Sequence, residues 1–198
     1  LAHGHCVAHV AELIADCGSA MKKVLILGGG YAGLSAARRL RKHDFDVTLI
    51  DRRDSHEALP LLPDVIGRAL RPEGLRYSYA RAARQWGFRF VQENLLEIDL
   101  KNRRVKTQNN SHAGDGLLIT LGVETNYFNL QDIRRHALPL RCVADATRIV
   151  ERLKGDVRTA VVCGGGYTGV ELATALWRSA RTNEKPLRIL LVELAPHL

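Results

Sequence analysis

The sequence predicts an α/β fold of two similar units, each a parallel β-sheet flanked by helices. An apolar run at Val24–Leu27 leads into a glycine-rich loop and then into a segment with apolar residues at helical spacing. The same order recurs 136 positions later (164 minus 28), where Ala160–Cys163 leads into a second glycine-rich loop. A strand, a loop and a helix in this order are typical of units whose strands are parallel.

Each loop has the spacing Gly-x-Gly-x-x-Gly directly after a predicted strand and directly before a predicted helix, the context in which this motif is informative. The glycines form three pairs: Gly28 with Gly164, Gly30 with Gly166, and Gly33 with Gly169. The first glycine of each loop allows a tight turn, the second lets the backbone approach a pyrophosphate, and the third lets the helix pack closely on the strand. Exposed N–H groups and the positive end of the helix then bind the phosphates.

An acidic residue ends the next strand of each unit. Asp51 closes the strand 46–51, and Glu193 closes the strand 189–192. A carboxylate at this place accepts hydrogen bonds from the ribose hydroxyls of the adenosine. The loops and acids therefore predict two Rossmann-like dinucleotide-binding units, the FAD/NAD(P)-binding fold, and two bound dinucleotides. Such a unit needs at least three parallel strands, so we expect the second unit, with two predicted strands, to be truncated.

The remaining pattern predicts the elements between and after the loops. In chain order they are strand 23–28, helix 31–42, strand 46–51, helix 73–86, strand 88–92, a hairpin of 95–100 with 104–107, strand 116–121, helix 145–154, strand 160–163, helix 168–180 and strand 189–192. Residues 125–141 should be irregular. Prolines exclude a regular helix through Leu61, and His56, in the polar loop before it, is expected to be a surface histidine. Glu171 falls in the first turn of helix 168–180, where a carboxylate suits the helix dipole.

Three segments are expected along the chain. Residues 1–20 are unlike the rest and should be a non-native or disordered extension, because Met21, two lysines and an apolar strand are a typical start for a dinucleotide-binding chain. Residues 21–124 should form the first nucleotide-binding domain. Residues 125–198 should form the second, incomplete one.

The composition excludes several classes of protein. Hydrophobic residues make up 46% of the 198 residues, enough for a core. The net charge of +8 comes from scattered basic residues with only 6% aromatics, which does not fit a nucleic-acid-binding surface. The four cysteines and the N-terminal histidines have no metal-site spacing, and no Cys-x-x-Cys pair occurs. From these cysteines we expect a protein of the reducing cytoplasm without metal. No apolar run reaches the roughly 20 residues of a membrane-spanning helix.

The motifs together resemble the two-dinucleotide flavoprotein oxidoreductases and, within them, the type II (non-proton-pumping) NADH dehydrogenases. The resemblance runs over residues 22–198. It is carried by Gly28–Gly33, Leu59–Pro63, Leu118–Gly122, Thr125–Phe128, Ala137–Leu140 with Asp145 and Ala146, Gly164–Ala173, and Val192 with Glu193. The family implies hydride transfer from NADH to FAD and then electron transfer to a quinone. It also implies that the first domain binds FAD and the second binds NADH.

The resemblance further implies roles for individual residues. Those implied for FAD are Gly28, Gly30, Tyr31, Ala32, Gly33, Asp51, Arg52 beside the adenosine, the Leu95 backbone at the adenine, and Gly122. Those implied for NADH are Gly164, Gly166, Tyr167, Thr168, Gly169 and Glu193, with Glu171 close to the nicotinamide as a tentative catalytic residue. Quinone-site residues and a membrane-binding part would lie in a later segment, which would place the full-length protein on the inner face of the cell membrane. A homodimer is left open.

The positions of the cysteines bear on two other functions of this fold, disulfide reduction and sulfide oxidation. Residues 52–75 contain none, which disfavours disulfide reduction, and only Cys142 lies where sulfide:quinone reductases need several. We expect Cys142 to be a small packing residue. A sulfide:quinone or ferredoxin reductase and a non-catalytic nucleotide-binding fragment remain the alternatives, and the electron acceptor stays open.

Overall fold

The computed structural model of the protein describes residues 21–43, 45–184 and 186–193. The expected extension, residues 1–20, lies outside the described residues. The chain divides into two compact units. The first contains the described residues up to His56 together with Ser78–Val123, and the second contains Glu57–Tyr77 together with the described residues from Glu124 on. Residues 57–77, which the sequence analysis put in the first domain, thus pack in the second unit.

The described residues form eleven strands and six α-helices. The strands are β1 (Lys23–Leu27), β2 (Asp46–Asp51), β3 (Ser55–Glu57), β4 (Arg76–Ser78), β5 (Arg89–Gln92), β6 (Leu95–Asp99), β7 (Arg104–Thr107), β8 (Ser111–Ala113), β9 (Gly116–Ile119), β10 (Thr159–Cys163) and β11 (Arg188–Val192). The helices are α1 (Tyr31–Leu40), α2 (Leu62–Gly67), α3 (Tyr79–Trp86), α4 (Gln131–His136), α5 (Val143–Lys154) and α6 (Tyr167–Thr182). Short 3₁₀ helices cover Arg41–His43, Leu59–Leu61 and Pro72–Leu75.

The first unit is built on a parallel sheet with the strand order β5-β2-β1-β9. Its two central strands, β1 and β2, are buried over almost their whole length, as expected for parallel strands covered on both faces. Leu25 and Leu27 of β1 and Ile50 of β2 form one cluster with Val105 of β7. Strands β6, β7 and β8 form a separate antiparallel sheet. The predicted α/β fold with parallel strands is confirmed.

The second unit packs α2, α5 and α6 with the parallel pair β10 and β11. One cluster joins Leu62 and Val65 of α2 to Val143 and Ala146 of α5. Another joins Ile66 of α2, Ile149 of α5 and Val162 of β10 with two residues of α6, Ala175 and Leu176. Helices α2 and α6 approach closely, because a Cβ at Gly67 would lie 2.8 Å from the Ala175 Cα. The small residues Gly67 and Ala175 therefore allow the two helices to come this close.

The two sheets differ in how well they are covered. Alternate residues of β10 and β11 are exposed, and Val161 and Val192 expose 55% and 54% of their surface. In β1 the apolar residues Val24–Leu27 are all buried. The sequence analysis gave both sheets similar apolar strands, so the difference comes from what lies against them and not from the strands themselves.

Three stretches differ from the predicted elements. The helix predicted over 73–86 is wrong before Tyr79, because a 3₁₀ turn and β4 precede α3 and the Ser78 hydroxyl caps α3 by accepting from the Arg81 N–H at 3.4 Å. The segment 125–141, predicted to be irregular, contains α4. The polar loop after Asp51 contains β3, and α2 begins at Leu62 with Pro63 in its first turn. The exclusion of a regular helix through Leu61 is confirmed, since a proline is tolerated only at the start of an α-helix.

Candidate functional site

The first glycine loop follows β1 and turns sharply at Gly28. The φ of Gly28 is +99°, and its N–H donates to the Ile50 carbonyl at 2.8 Å. A Cβ at Gly28 would lie 2.5 Å from the Thr120 carbonyl oxygen. The Thr120 hydroxyl lies 2.7 Å from the Gly28 carbonyl and 3.0 Å from the Leu27 carbonyl. Both conformation and packing therefore require glycine at position 28.

Gly29 is held from both sides of its backbone. Its N–H donates to the Asp51 carboxylate at 2.6 Å, and its carbonyl accepts from the Tyr79 hydroxyl at 2.7 Å. The His56 Nδ1 lies 3.3 Å from the same carbonyl, and the His56 ring meets the Tyr31 ring edge-on with centroids 4.5 Å apart. The buried aromatic ring of Tyr79 leaves no room for a side chain at Gly29, where a Cβ would lie 2.4 Å from it.

Gly30 and Gly33 complete the first loop for different reasons. A Cβ at Gly33 would lie 1.9 Å from the Gly28 carbonyl, so the third glycine is required by the contact of helix and strand. Gly30 has a φ of −62°, which any residue adopts, and a Cβ there would meet no protein atom within 4 Å. The helix α1 begins at the next residue, Tyr31, and its first-turn N–H groups, which include that of Ala32, have no acceptor inside the helix. The loop thus offers open space beside free backbone donors.

The second loop repeats this geometry around Gly164. The φ of Gly164 is +107°, and its N–H donates to the Val192 carbonyl at 2.8 Å. The Gly165 N–H donates to the Glu193 carboxylate at 2.5 Å, as that of Gly29 does to Asp51. A Cβ at Gly169 would lie 1.9 Å from the Gly164 carbonyl.

The open position also recurs in the second loop. Gly166 has a φ of −68°, and a Cβ there would meet no protein atom within 4 Å. Tyr167 and Thr168, the first residues of α6, are both exposed. Each acid predicted from the sequence is therefore brought to the loop of its own unit, where it anchors the middle glycine.

Asp51 uses both carboxylate oxygens. One accepts from Gly29, and the other accepts from the Arg53 N–H at 2.9 Å. A carboxylate has about four acceptor sites, so Asp51 retains capacity for ribose hydroxyls. Arg52, which lies between Asp51 and Arg53 in the sequence, is exposed. Asp51 therefore also holds the backbone of Gly29 and Arg53, a role that the sequence motif does not specify.

The segment after β5 reaches Leu95 and lies beside Asp51. The Glu93 N–H donates to the Asp51 carbonyl at 3.1 Å. The Glu93 carboxylate accepts from the Thr107 hydroxyl and from the Asn110 amide, and these hydrogen bonds, that of Thr107 foremost, hold the pKa of Glu93 below its usual value. Leu95 itself is half-buried against the cluster of Leu25, Leu27 and Ile50. Leu95, for which an adenine contact is predicted, therefore lies in the same unit as the first loop.

The structure also bears on the roles predicted for Glu171 and Gly122. The helix α6 begins at Tyr167, so Glu171 is its fifth residue, and the first turn carries no acidic residue. The helix-dipole role predicted for Glu171 is therefore wrong, and its side chain is exposed. Gly122 follows β9 with a φ of +77°, which explains a glycine there without reference to a ligand.

Sequence reasoning missed three side chains that shape the first loop. Thr120 received no role, His56 was expected on the surface but is half-buried, and Tyr79 was treated as one residue within a longer helix. Ser78 offers the signal that would have placed the helix start at Tyr79, because serine is a preferred N-cap. The contact of Tyr79 with Gly29 spans 50 residues of sequence and has no local signal.

Cys142 lies at the start of α5 with Asp145 and Glu57 nearby. Glu57 is buried and accepts from the Val143 N–H at 3.0 Å, while Asp145 accepts from the Arg141 N–H at 3.0 Å. Burial, foremost, raises the pKa of the Cys142 thiol, with a contribution from these carboxylates. A raised pKa lowers the thiolate fraction, so Cys142 is a poor nucleophile.

Over the described ranges 21–43, 45–184 and 186–193, no three His, Cys, Asp or Glu side chains are grouped so that they could hold a metal ion. In the same ranges no helix combines the length and the apolar character needed to cross a membrane.

The residues of both loops fit a dinucleotide. In each, glycine at the second position is explained neither by backbone conformation nor by protein packing, so the space beside it is available to a pyrophosphate. In each, a helix of ten residues or more begins at the next position, and its N-terminus attracts anions.

The chain is similar to known proteins in sequence. The family model described as "Pyridine nucleotide-disulphide oxidoreductase" matches residues 22–198. The type II NADH:quinone oxidoreductase of Staphylococcus haemolyticus is 25% identical over 201 residues, which cover 89% of this chain and 50% of that protein. The demethylphylloquinone reductase of Synechocystis sp. is 30% identical over 175 residues, covering 79% of this chain and 43% of that protein. The chain therefore spans about half the length, or less, of these curated relatives.

The fold is also similar to that of a solved structure. NDH2 from Plasmodium falciparum in complex with NADH superposes with a TM-score of 0.72 and 22% identity, covering 86% of this chain and 42% of that one. The likeness shows a Rossmann-type FAD/NAD(P)-binding fold. Because the family model matches all residues from Lys22 on, the chain belongs to the pyridine nucleotide-disulphide oxidoreductase family.

Proposed function

We propose that the protein is a flavin-dependent NADH:quinone oxidoreductase, with FAD at the first glycine loop and NADH at the second. The observation that carries the proposal is the open space at the second glycine of each loop. Gly30 and Gly166 have ordinary φ values, and a Cβ at either position would meet no protein atom within 4 Å. An open glycine directly before a helix N-terminus lets a pyrophosphate come close to the backbone.

At the first loop, the N-terminus of α1 and the Gly30 backbone bind the pyrophosphate of FAD. Asp51 accepts from the ribose hydroxyls with the acceptor sites that Gly29 and Arg53 leave free. Arg52 lies beside the adenosine, the Leu95 backbone contacts the adenine, and Gly122 lets the chain pass close to the cofactor.

At the second loop, the N-terminus of α6 binds the pyrophosphate of NADH beside Gly166. Glu193 accepts from both ribose hydroxyls while it holds the Gly165 N–H. The exposed carboxylate of Glu171 lies on the second turn of the same helix, where we assign it a contact near the nicotinamide.

FAD, when bound, supplies a two-electron acceptor for the hydride of NADH and can pass these electrons on to a second acceptor. The chain itself binds and orients the two nucleotides. Hydride transfer needs no acid, base or nucleophile from the protein, so the weakly reactive Cys142 is not required for it.

The quinone is proposed as the second acceptor because the matched curated relatives include type II NADH:quinone oxidoreductases and a demethylphylloquinone reductase. Since the chain covers about half of these relatives, the quinone site belongs to the proposal for the full-length protein. A quinone dissolved in the membrane would place that protein at the inner face of the cell membrane.

The test uses the full-length protein expressed from its complete reading frame. We expect a flavin absorbance spectrum and oxidation of NADH coupled to reduction of a short-chain quinone. Gly30→Val should remove the flavin, and it should melt at the same temperature as the flavin-free wild type, because its side chain meets ligand and not protein. Gly74→Val is the matched control, since a Cβ at Gly74 also meets no atom within 4 Å and no ligand is proposed there.

Two outcomes would contradict the proposal. Full flavin content in Gly30→Val would show that FAD does not bind at the first loop. A wild-type protein that binds both nucleotides but reduces no quinone would favour the alternatives, a reductase with another acceptor or a non-catalytic nucleotide-binding protein.

A further inference from the structure

Beyond the glycines themselves, the orientation of one peptide group decides what the first loop presents to a ligand. The C=O of Gly29 and the N–H of Gly30 belong to the same planar trans peptide, so they point in opposite directions. The Gly29 carbonyl points to the Tyr79 hydroxyl, 2.7 Å away, inside the unit. The Gly30 N–H is therefore directed away from Tyr79, out of the buried side of the loop.

Tyr79 is itself fixed by contacts that involve no ligand. Its side chain is 2% exposed, and its ring packs on Phe90 with centroids 5.1 Å apart. It is the first residue of α3, where Ser78 caps the helix and the Tyr79 N–H donates to the Asp54 carbonyl at 2.9 Å. Protein contacts alone therefore hold the hydroxyl against the Gly29 carbonyl.

The other side of Gly29 is held as well. Asp51 accepts from its N–H at 2.6 Å, and His56 gives a second, longer contact of 3.3 Å to its carbonyl. In the second loop Glu193 reproduces the contact of Asp51, but no hydrogen bond found within the described part of the chain reaches the Gly165 carbonyl. The hold on the carbonyl is thus a feature of the first loop.

We propose that Tyr79 is a positioning residue for the nucleotide at the first loop: its hydroxyl fixes the Gly29–Gly30 peptide so that the Gly30 N–H faces the pyrophosphate. The proposal rests on the assignment of FAD to this loop. Without the hydroxyl, the peptide can rotate, and part of the binding free energy goes into restoring its orientation. Tyr79 thereby acts through the backbone and without touching the cofactor.

The test measures FAD affinity of the full-length protein by the change in flavin fluorescence on binding. Tyr79→Phe keeps the ring that packs over Gly29 and removes only the hydroxyl. We expect the Kd for FAD to rise roughly twofold to tenfold, because only the cost of reorienting the peptide enters the Kd and this cost is at most the net value of one hydrogen bond. The Kd for NADH, which binds the second loop, should stay unchanged.

A second variant and a control make the result specific. His56→Phe added to Tyr79→Phe removes the remaining contact to the Gly29 carbonyl, so the Kd for FAD should rise further. Tyr127→Phe also removes a tyrosine hydroxyl, but in the second unit, and should leave the Kd for FAD as in the wild type.

The outcomes separate this inference from the proposed function. A wild-type protein that binds no FAD would overturn the assignment of the loop and this inference with it. If the wild type binds FAD and Tyr79→Phe binds it equally well, only the role of Tyr79 is overturned. The same holds if Tyr79→Phe weakens FAD and NADH alike, because a general loss of structure would then explain the result.

Discussion

The two glycine loops have the same local geometry but different surroundings. Gly28 and Gly164 have φ values of +99° and +107°, and in both loops a carboxylate anchors the following glycine. The first loop leaves a strand that is paired on both sides and packs against Thr120 and Tyr79. The second leaves β10, which pairs with β11, and a Cβ at Gly164 would meet no atom within 4 Å. The turn is therefore encoded by the motif, while its rigidity is added by the rest of the unit.

The largest expected effect tests what the loops share. Alanine at the third glycine should cost roughly 3 kcal/mol of unfolding free energy in either unit, because its Cβ would lie 1.9 Å from a backbone carbonyl. Urea unfolding of Gly33→Ala and Gly169→Ala checks this, with Gly74→Ala as the control. A small cost in one unit alone would show that its helix and strand separate easily.

The next effect tests where the loops differ. Gly164→Ala adds the strain of a side chain at positive φ, about 1 to 2 kcal/mol. Gly28→Ala adds the same strain and also a contact of 2.5 Å with the Thr120 carbonyl, so its melting temperature should fall further. Equal melting temperatures would mean that the surroundings of the first loop yield, and the contrast between the loops would be lost.

The smallest effect concerns the two acids. Glu193→Gln keeps an oxygen for the Gly165 N–H but removes the charge that, in the proposed NADH site, would repel the 2′-phosphate of NADPH. The ratio of kcat/KM for NADH to kcat/KM for NADPH should fall about fivefold. The change is modest because the site is exposed to solvent and salt. Asp51→Asn is the matched control at the first loop and should leave this preference unchanged. An unchanged ratio in Glu193→Gln would instead make Glu193 only an anchor of its loop.

The sequence predicts the parts of this site that depend on neighbours in the chain. The turn at Gly28, the start of α1 and the acid at Asp51 are all within about one βα unit, so periodicity and spacing predict them. The exclusion of a helix before Leu61 follows from proline alone.

Contacts across long stretches of sequence were not predicted. The Tyr79 hydroxyl meets Gly29 across 50 positions, and Thr120 meets Gly28 across 92. Neither residue type is unusual where it stands, so no local pattern distinguishes a tyrosine that holds a loop from one that fills a core. The same limitation explains the assignment of residues 57–77, because only their packing places them in the second unit.

The path of the chain has a consequence for anyone who wishes to separate the units. The backbone passes from one unit to the other after His56, returns after Tyr77 and leaves again after Val123. No single cut isolates either half, and an expression boundary at residue 124 would remove α2 from the unit whose core it fills. To obtain the second unit alone, residues 57–77 would have to be joined to residue 124 through a linker that replaces residues 78–123.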